Sequence, residues 1–304
     1  MKQVLLLGGT GFVGRSVCEA LARRAPALRV VVPSRRSERA KRLAPLPTVQ
    51  LVRADVHDEA QLATLLEGCD AAVNLVAILH GSEAAFERTH VELPRKLANA
   101  CHARGVRRLM HVSALGANAN GPSRYLRSKG RGEAVLREAA LDLSVLRPSV
   151  IFGADDRFLN LFARLQSIFP VLPLAGATAR FQPVWVGDVA AAIVRCLFNG
   201  DADRSTIGVT FECAGPQVYT LAELVRLAGR WSGHRRPVIA LPDALGKLQA
   251  LVMELVPGEP LMSRDNLDSM RVDNVASGTL PGLAALGIEA HSLESVAPAY
   301  LRRR

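Results

Sequence analysis

The chain has 304 residues, 49% of them hydrophobic, and a net charge of +10 from 38 basic and 28 acidic residues. That length fits one large α/β domain, or one domain with a smaller lobe, and that apolar share supports a large core and argues against disorder. The 33 arginines are spread along the chain, aromatic residues are few, and no apolar run is long enough to cross a bilayer, so neither a nucleic-acid partner nor a membrane span is expected.

Val4–Leu7 reads as a first strand and not as a signal peptide, because it runs straight into Gly8-Gly9-Thr10-Gly11-Phe12-Val13-Gly14. Arg15–Arg24 then follows at helical spacing. A strand, a glycine turn and a helix in that order let a pyrophosphate approach bare backbone at the helix N-terminus. Further apolar runs, Arg29–Val32, Val49–Val52, Ala71–Val76, Leu109–Val112 and Leu143–Leu146, predict strands. The amphipathic stretches Glu59–Leu66, Pro94–Arg104 and Lys129–Ala140 predict helices between them. Continuous apolar strands alternating with helices predict a parallel sheet covered on both faces, the doubly wound Rossmann architecture.

After Pro148 the rhythm changes. Phe158–Leu165 reads as a helix, Pro170, Pro173 and Gly176 as a loop, and Val184-Trp185-Val186 as a short strand. Asp188 is the expected N-cap of a helix Val189–Phe198, and Val209–Cys213 can rejoin the main sheet. Ala244–Leu255 is an amphipathic helix. The expected division is therefore a dinucleotide-binding domain over 1–150, rejoined by about 181–215, with a smaller interleaved lobe from 151–180 and 216–304. Cys18, Cys69, Cys101, Cys196 and Cys213 are scattered among apolar neighbours with no CxxC pair. They read as reduced, buried residues of a cytoplasmic protein, with no disulfide and no metal site.

Tyr125 and Lys129 stand four residues apart, on one face of a helix. There an ammonium can lower the phenol's pKa and hold a ribose, and the phenol can exchange a proton with a carbonyl or alcohol. Ser113 follows a predicted strand at its carboxyl end, where this architecture places active sites. His111 is expected to pack within that strand and to point away from Ser113. Phe152, Arg157, Phe158, Phe162 and Phe181 are the candidate liners of an apolar substrate site.

These motifs together resemble the short-chain dehydrogenase/reductase superfamily, in its extended or atypical branch, over nearly the whole chain. The resemblance implies that Gly8, Thr10, Gly11, Phe12, Val13 and Gly14 form the cofactor loop, and that Ser113, Tyr125 and Lys129 are the catalytic trio. It places Asp55 and Val56 at the acidic position beside the adenine ring, and Val76 and Ala77 after the fourth strand. Arg147–Gly153, with Pro148 and Val150, resembles the segment lining the nicotinamide, and Pro183–Ala190 an element of the second lobe. His111–Ala117, Ser123–Lys129 and Gly132-Glu133 look closest to the group containing the nucleotide-binding accessory subunit of respiratory complex I and its bacterial relatives. In that group the dinucleotide is held, while turnover is often unestablished.

The second strand ends in Pro33-Ser34-Arg35-Arg36, without the acidic residue that serves NAD. Arg35 and Arg36 are suited to a 2′-phosphate, which favours NADP(H) over NAD(H). Three readings follow. The first is an NADP(H)-dependent oxidoreductase acting on a carbonyl or alcohol of an apolar small molecule. The second is a non-catalytic nucleotide-binding subunit or redox sensor. The third is a sugar epimerase or dehydratase, ranked lower because no nucleotide-sugar site is visible. Weak peripheral contact with a membrane or a respiratory complex is the open partner reading, and substrate and oligomeric state are not legible.

Overall fold

The computed structural model describes residues 1–35, 41–202, 205–255, 258 and 260–302. In chain order the strands are β1 (Gln3–Leu7), β2 (Arg29–Ser34), β3 (Val49–Arg53), β4 (Ala71–Asn74), β5 (Arg108–Val112), β6 (Asp142–Pro148), β7 (Ile151–Phe152), β8 (Leu172–Leu174), β9 (Arg180–Phe181), β10 (Val184–Trp185), β11 (Thr210–Cys213), β12 (Tyr219–Thr220) and β13 (Val238–Ala240). Seven of them form one sheet in the order β3-β2-β1-β4-β5-β6-β11. All neighbours in it are parallel. The chain winds outward in one direction from β1 and in the other from β4, so a crevice opens at their carboxyl ends.

Strand alternation feeds two apolar layers. Val4, Leu6, Val30 and Val32 face the helices Phe12–Arg24 and Val186–Ala202. Leu5, Leu7 and Val31 face Glu59–Leu65 and Leu93–Ala103. Because both faces of the inner strands are covered, β1, β2 and β4 are buried over most of their length and show no polar alternation, whereas the edge strand β3 leaves Gln50, Leu51 and Arg53 exposed.

Helix limits differ from the sequence expectation where tertiary contacts decide them. The helix expected over Pro94–Arg104 begins earlier, at Glu83, and reaches Ala103 through one π-helical turn, Arg88–Glu92. The helix expected from Lys129 starts at Arg124, with Ser123 as N-cap accepting from the Leu126 N–H at 3.1 Å. Asp188 is not an N-cap. The helix begins at Val186, and the Asp188 carboxylate, buried in its first turn, instead accepts from the His291 N–H at 2.8 Å and bonds His291 Nδ1 at 2.7 Å.

The rest of the chain forms a lobe with its own core of Phe152, Leu159, Phe162, Leu224, Val225 and Leu293. Three two-stranded pairings frame it: β7 with β10, β8 with β13 and β9 with β12. The chain enters this lobe after β6, returns through Val186–Ala202 to β11, and leaves again. Phe158 stacks edge-on against Phe162 at 5.3 Å and lies 5.8 Å from Phe181. Phe152, Phe162 and Phe181 are buried, so these rings are lobe core and not open lining. All five cysteines are buried and free. Among the described residues no cluster suited to a metal ion occurs, and no helix is long and apolar enough to cross a membrane.

Candidate functional site

At the crevice, Gly8 adopts φ +81°, where a side chain is disfavoured, and its absent Cβ would sit 3.2 Å from the Leu75 backbone. Leu75 N–H donates to Leu7 O at 3.0 Å, and Val76 N–H to Asn74 Oδ1 at 3.1 Å. The glycine loop and the Asn74–Ala77 segment therefore form one wall. Gly11 caps the helix Phe12–Arg24 in extended conformation, with no side chain on its free N–H groups and no acid in the first turn. Such a terminus attracts an anion through its unpaired amides and dipole. The residues thus fit a dinucleotide's pyrophosphate. Gly153 lies against Phe12, whose ring would meet an added Cβ at 3.1 Å, which brings the segment containing Pro148 and Val150 beside the loop.

Farther along the sheet edge, Asp55 closes a turn by accepting from His57 N–H at 3.1 Å, with Val56 half-buried beside it. Arg35 is exposed at the end of β2; Arg36 lies outside the described residues. Lys96 Nζ donates to His57 O at 2.8 Å. Burial holds the His57 imidazole below its ordinary pKa, and the Arg88, Arg35 and Lys96 charges push it further down against Asp55. Arg88 and Lys96 were not visible as site residues in the sequence. They converge with Arg35 only because the helical segment after β4 returns past the end of β2.

Ser113 and Lys129 come together at the carboxyl end of β5, and Tyr125 lies one turn before Lys129 on the helix Arg124–Glu138. Ser113 N–H donates to Leu146 O at 2.7 Å, which extends the ladder one residue. Its Oγ is buried and has no hydrogen-bond partner. A buried hydroxyl without a partner is costly and points to a missing ligand oxygen. Lys129 is 2% exposed and donates from Nζ to Val112 O at 2.8 Å, next to Ser113. Burial lowers its pKa from 10.5 to about 8, opposed in part by Glu133.

Tyr125 departs from the expectation. Burial raises its pKa from 10.0 to about 12, where an ammonium neighbour was expected to lower it. The phenol is therefore protonated at neutral pH.

A polar chain not foreseen from the sequence supports this helix. His90, in the π-helical turn, accepts from Ile78 N–H at Nε2, 3.1 Å away. Its proton thus lies on Nδ1, which donates to Ser128 Oγ at 2.8 Å, and Ser128 donates to Tyr125 O at 2.9 Å. Burial and the Lys129 charge depress His90 to about 3, so it stays neutral. Its ring meets Tyr125 edge-on at 5.6 Å. Gly132 permits this approach, since an added Cβ would fall 1.9 Å from His90 O. Asp265, from the lobe, accepts from Arg124 N–H at 2.7 Å and Tyr125 N–H at 3.1 Å and so caps the helix.

His111 is buried and lies 3.3 Å from Asn74 Nδ2 through Nδ1. It does not point away from Ser113: residues two apart along a strand share a face. The nearest part of the chain that could have signalled His90 is the break in apolar spacing around it; nothing local signals Asp265.

Comparison with known proteins places the chain among nucleotide-binding proteins. A family model described as NAD(P)H-binding matches residues 8–199. The mitochondrial NADH dehydrogenase [ubiquinone] 1 alpha subcomplex subunit 9 of Mus musculus is 31% identical over 305 residues, covering 98% of this chain and 79% of that protein. A ceramide reductase of Caulobacter vibrioides is 31% identical over 245 residues, covering 79% and 74%. The structure of an NADPH-dependent quinone oxidoreductase of Escherichia coli with NADPH superposes with a TM-score of 0.77 at 22% identity, covering 98% of this chain and 99% of that one. At that identity the superposition speaks for the fold alone.

Proposed function

Because the chain belongs to this NAD(P)H-binding family, we propose that it is an NADP(H)-dependent reductase of an apolar carbonyl compound, of the short-chain dehydrogenase/reductase kind. The observation that carries the reading is the buried, unpartnered Ser113 Oγ, next to the Val112 carbonyl that Lys129 holds, with Tyr125 one helical turn before Lys129. Ser113 Oγ donates to the substrate oxygen. Tyr125, protonated through neutral pH, gives its proton to that oxygen as the carbonyl becomes an alcohol. Lys129 supplies positive charge to the phenolate left behind and a donor to the ribose. A bound NADPH, held by the glycine loop, would supply the hydride for the carbonyl carbon. Arg35, with Arg88 and Lys96 in the same positive field, favours the 2′-phosphate of NADP(H) over NAD(H). A relative named for ceramide supports a lipid-like carbonyl, and five free, buried cysteines suit a cytoplasmic setting.

The likeness to a respiratory subunit over 98% of the chain favours a second reading, in which the nucleotide is held without turnover as part of a larger assembly. Turnover separates the two. Loss of NADPH absorbance is followed over hydrophobic ketones, quinones and long-chain keto-lipids, with NADPH binding measured on the same samples. The reductase reading expects Tyr125→Phe to lose about 10²–10⁴-fold in rate with nucleotide affinity unchanged. Equal turnover by Tyr125→Phe overturns the mechanism; tight binding without turnover across the panel favours the holding role.

A further inference from the structure

The helix Asp243–Leu255 is built inside out. It meets the lobe through small residues, Gly246 and Ala250, and an added Cβ at Gly246 would come within 2.8 Å of the Ala175 Cβ. Its large apolar side chains face outward: Leu245 is 52% exposed, Leu248 56%, Val252 56% and Leu255 77%. Their spacing of three and four residues makes one stripe. The stripe continues onto the neighbouring strands. Gln249 Nε2 donates to Pro173 O at 3.2 Å, and Pro173 on β8 pairs with Ile239 on β13. Ile239, and Ile168 and Phe169 just before β8, are also exposed. Single exposed apolar residues need no explanation, but a contiguous set on one face does.

Cations flank this face. Arg235 and Arg236 lead into β13, and Arg236 Nε donates to Gln166 O at 3.1 Å, near Ile168. Lys247 sits on the striped helix itself. Among the described residues, Arg235, Arg236 and Lys247 form no ion pair, whereas Arg264 below them pairs with Glu254 at 2.9 Å.

We propose that this face seats the protein on an anionic lipid bilayer, with the helix Asp243–Leu255 lying in the interface and Arg235, Arg236 and Lys247 among the headgroups. A bilayer offers acyl chain to the stripe and phosphate to the cations at once. A second copy would bring the same cations against these, in a chain of net charge +10, and so fits less well. The seat adjoins the site. Arg264 N–H donates to Glu254 on the striped helix at 2.8 Å, and the next residue, Asp265, holds the Tyr125 N–H. An apolar carbonyl would thus reach Tyr125 from lipid; that consequence rests on the reductase reading, and the docking itself does not.

The test is flotation of the full chain with vesicles of phosphatidylcholine alone or with roughly a third phosphatidylglycerol. The protein is expected to float with the anionic vesicles, poorly with the neutral ones, and less at high salt. The Leu248→Glu/Val252→Glu double variant should lower partition by at least about tenfold, with NADPH affinity and thermal unfolding unchanged. Arg235→Glu/Arg236→Glu should remove the preference for anionic lipid. Should the first variant fold poorly, Leu248→Trp reports insertion as a blue-shifted emission on adding vesicles. Failure to float, flotation insensitive to both variants, or a dimer that the double variant dissolves would each overturn the proposal. NADPH titration and turnover, measured without vesicles, keep that failure separate from failure of the reductase reading.

Discussion

Replacing Lys129 by Met should stabilise the fold at pH 7 while weakening nucleotide binding. Lys129 is 2% exposed, and burial pulls its ammonium from 10.5 to about 8. That fall corresponds to ~3 kcal/mol borne by the folded state while the group is charged. Met keeps the unbranched apolar stem. It loses the hydrogen bond to Val112 O, worth ~1 kcal/mol net. The expected gain at pH 7 is therefore ~2 kcal/mol. The pH dependence has a definite sign. Below about 8 the lysine is protonated in both states and the gap is constant. Between about 8 and 10.5 the unfolded chain keeps the proton and the folded chain does not, so wild-type stability rises relative to the variant. The gap should largely close by about pH 10. Urea unfolding of both proteins at the two pH values reads this directly, because other titrating groups cancel in the comparison. A wild type more stable than Lys129→Met at pH 7, by a margin that does not change at high pH, would refute the burial argument. In the same samples NADPH affinity should fall in the variant, and in the wild type as pH rises through about 8.

Gly11→Ala should fold yet bind nucleotide poorly, since Gly11 has an ordinary φ of −76° and its Cβ would meet Gly8 O at 3.1 Å; Gly14→Ala should destabilise the fold, its Cβ falling 2.3 Å from Gly8 O. Thermal unfolding with and without NADPH distinguishes the two. Replacing Arg35 and Arg36 by Ala should narrow a preference for NADPH over NADH by about ten- to a hundredfold, the worth of a charged contact; equal affinities in the unmutated chain would remove the NADP assignment. Glu133→Gln should cost ~3 kcal/mol or more in urea unfolding, because Glu133 is 3% exposed at its side chain and takes two hydrogen bonds from Arg147, at 2.9 and 2.7 Å.

The local features of this protein were legible in its residues. Val4–Leu7 before Gly8, Gly11 and Gly14, the apolar runs that became β1 to β6, and the return of Val209–Cys213 to the sheet all follow from short-range patterning. A continuous apolar run identifies a strand buried on both faces, and glycines at fixed offsets identify a tight turn before a helix. Tyr125 and Lys129 share a helix face for the same reason. What tertiary structure alone decided concerns environment. The fall of Lys129 to about 8 and the rise of Tyr125 to about 12 come from burial, which no spacing encodes. Asp265 caps a helix 141 residues away, and the convergence of Arg35, Arg88 and Lys96 requires the segment after β4 to pass the end of β2. The outward stripe on Asp243–Leu255 is of the same kind. An amphipathic period tells that a helix has an apolar face, but only packing showed that the lobe takes the small residues and leaves the leucines outside. Periodicity records how a residue sits on its own element; charge, burial and partnership depend on which distant elements the fold brings against it.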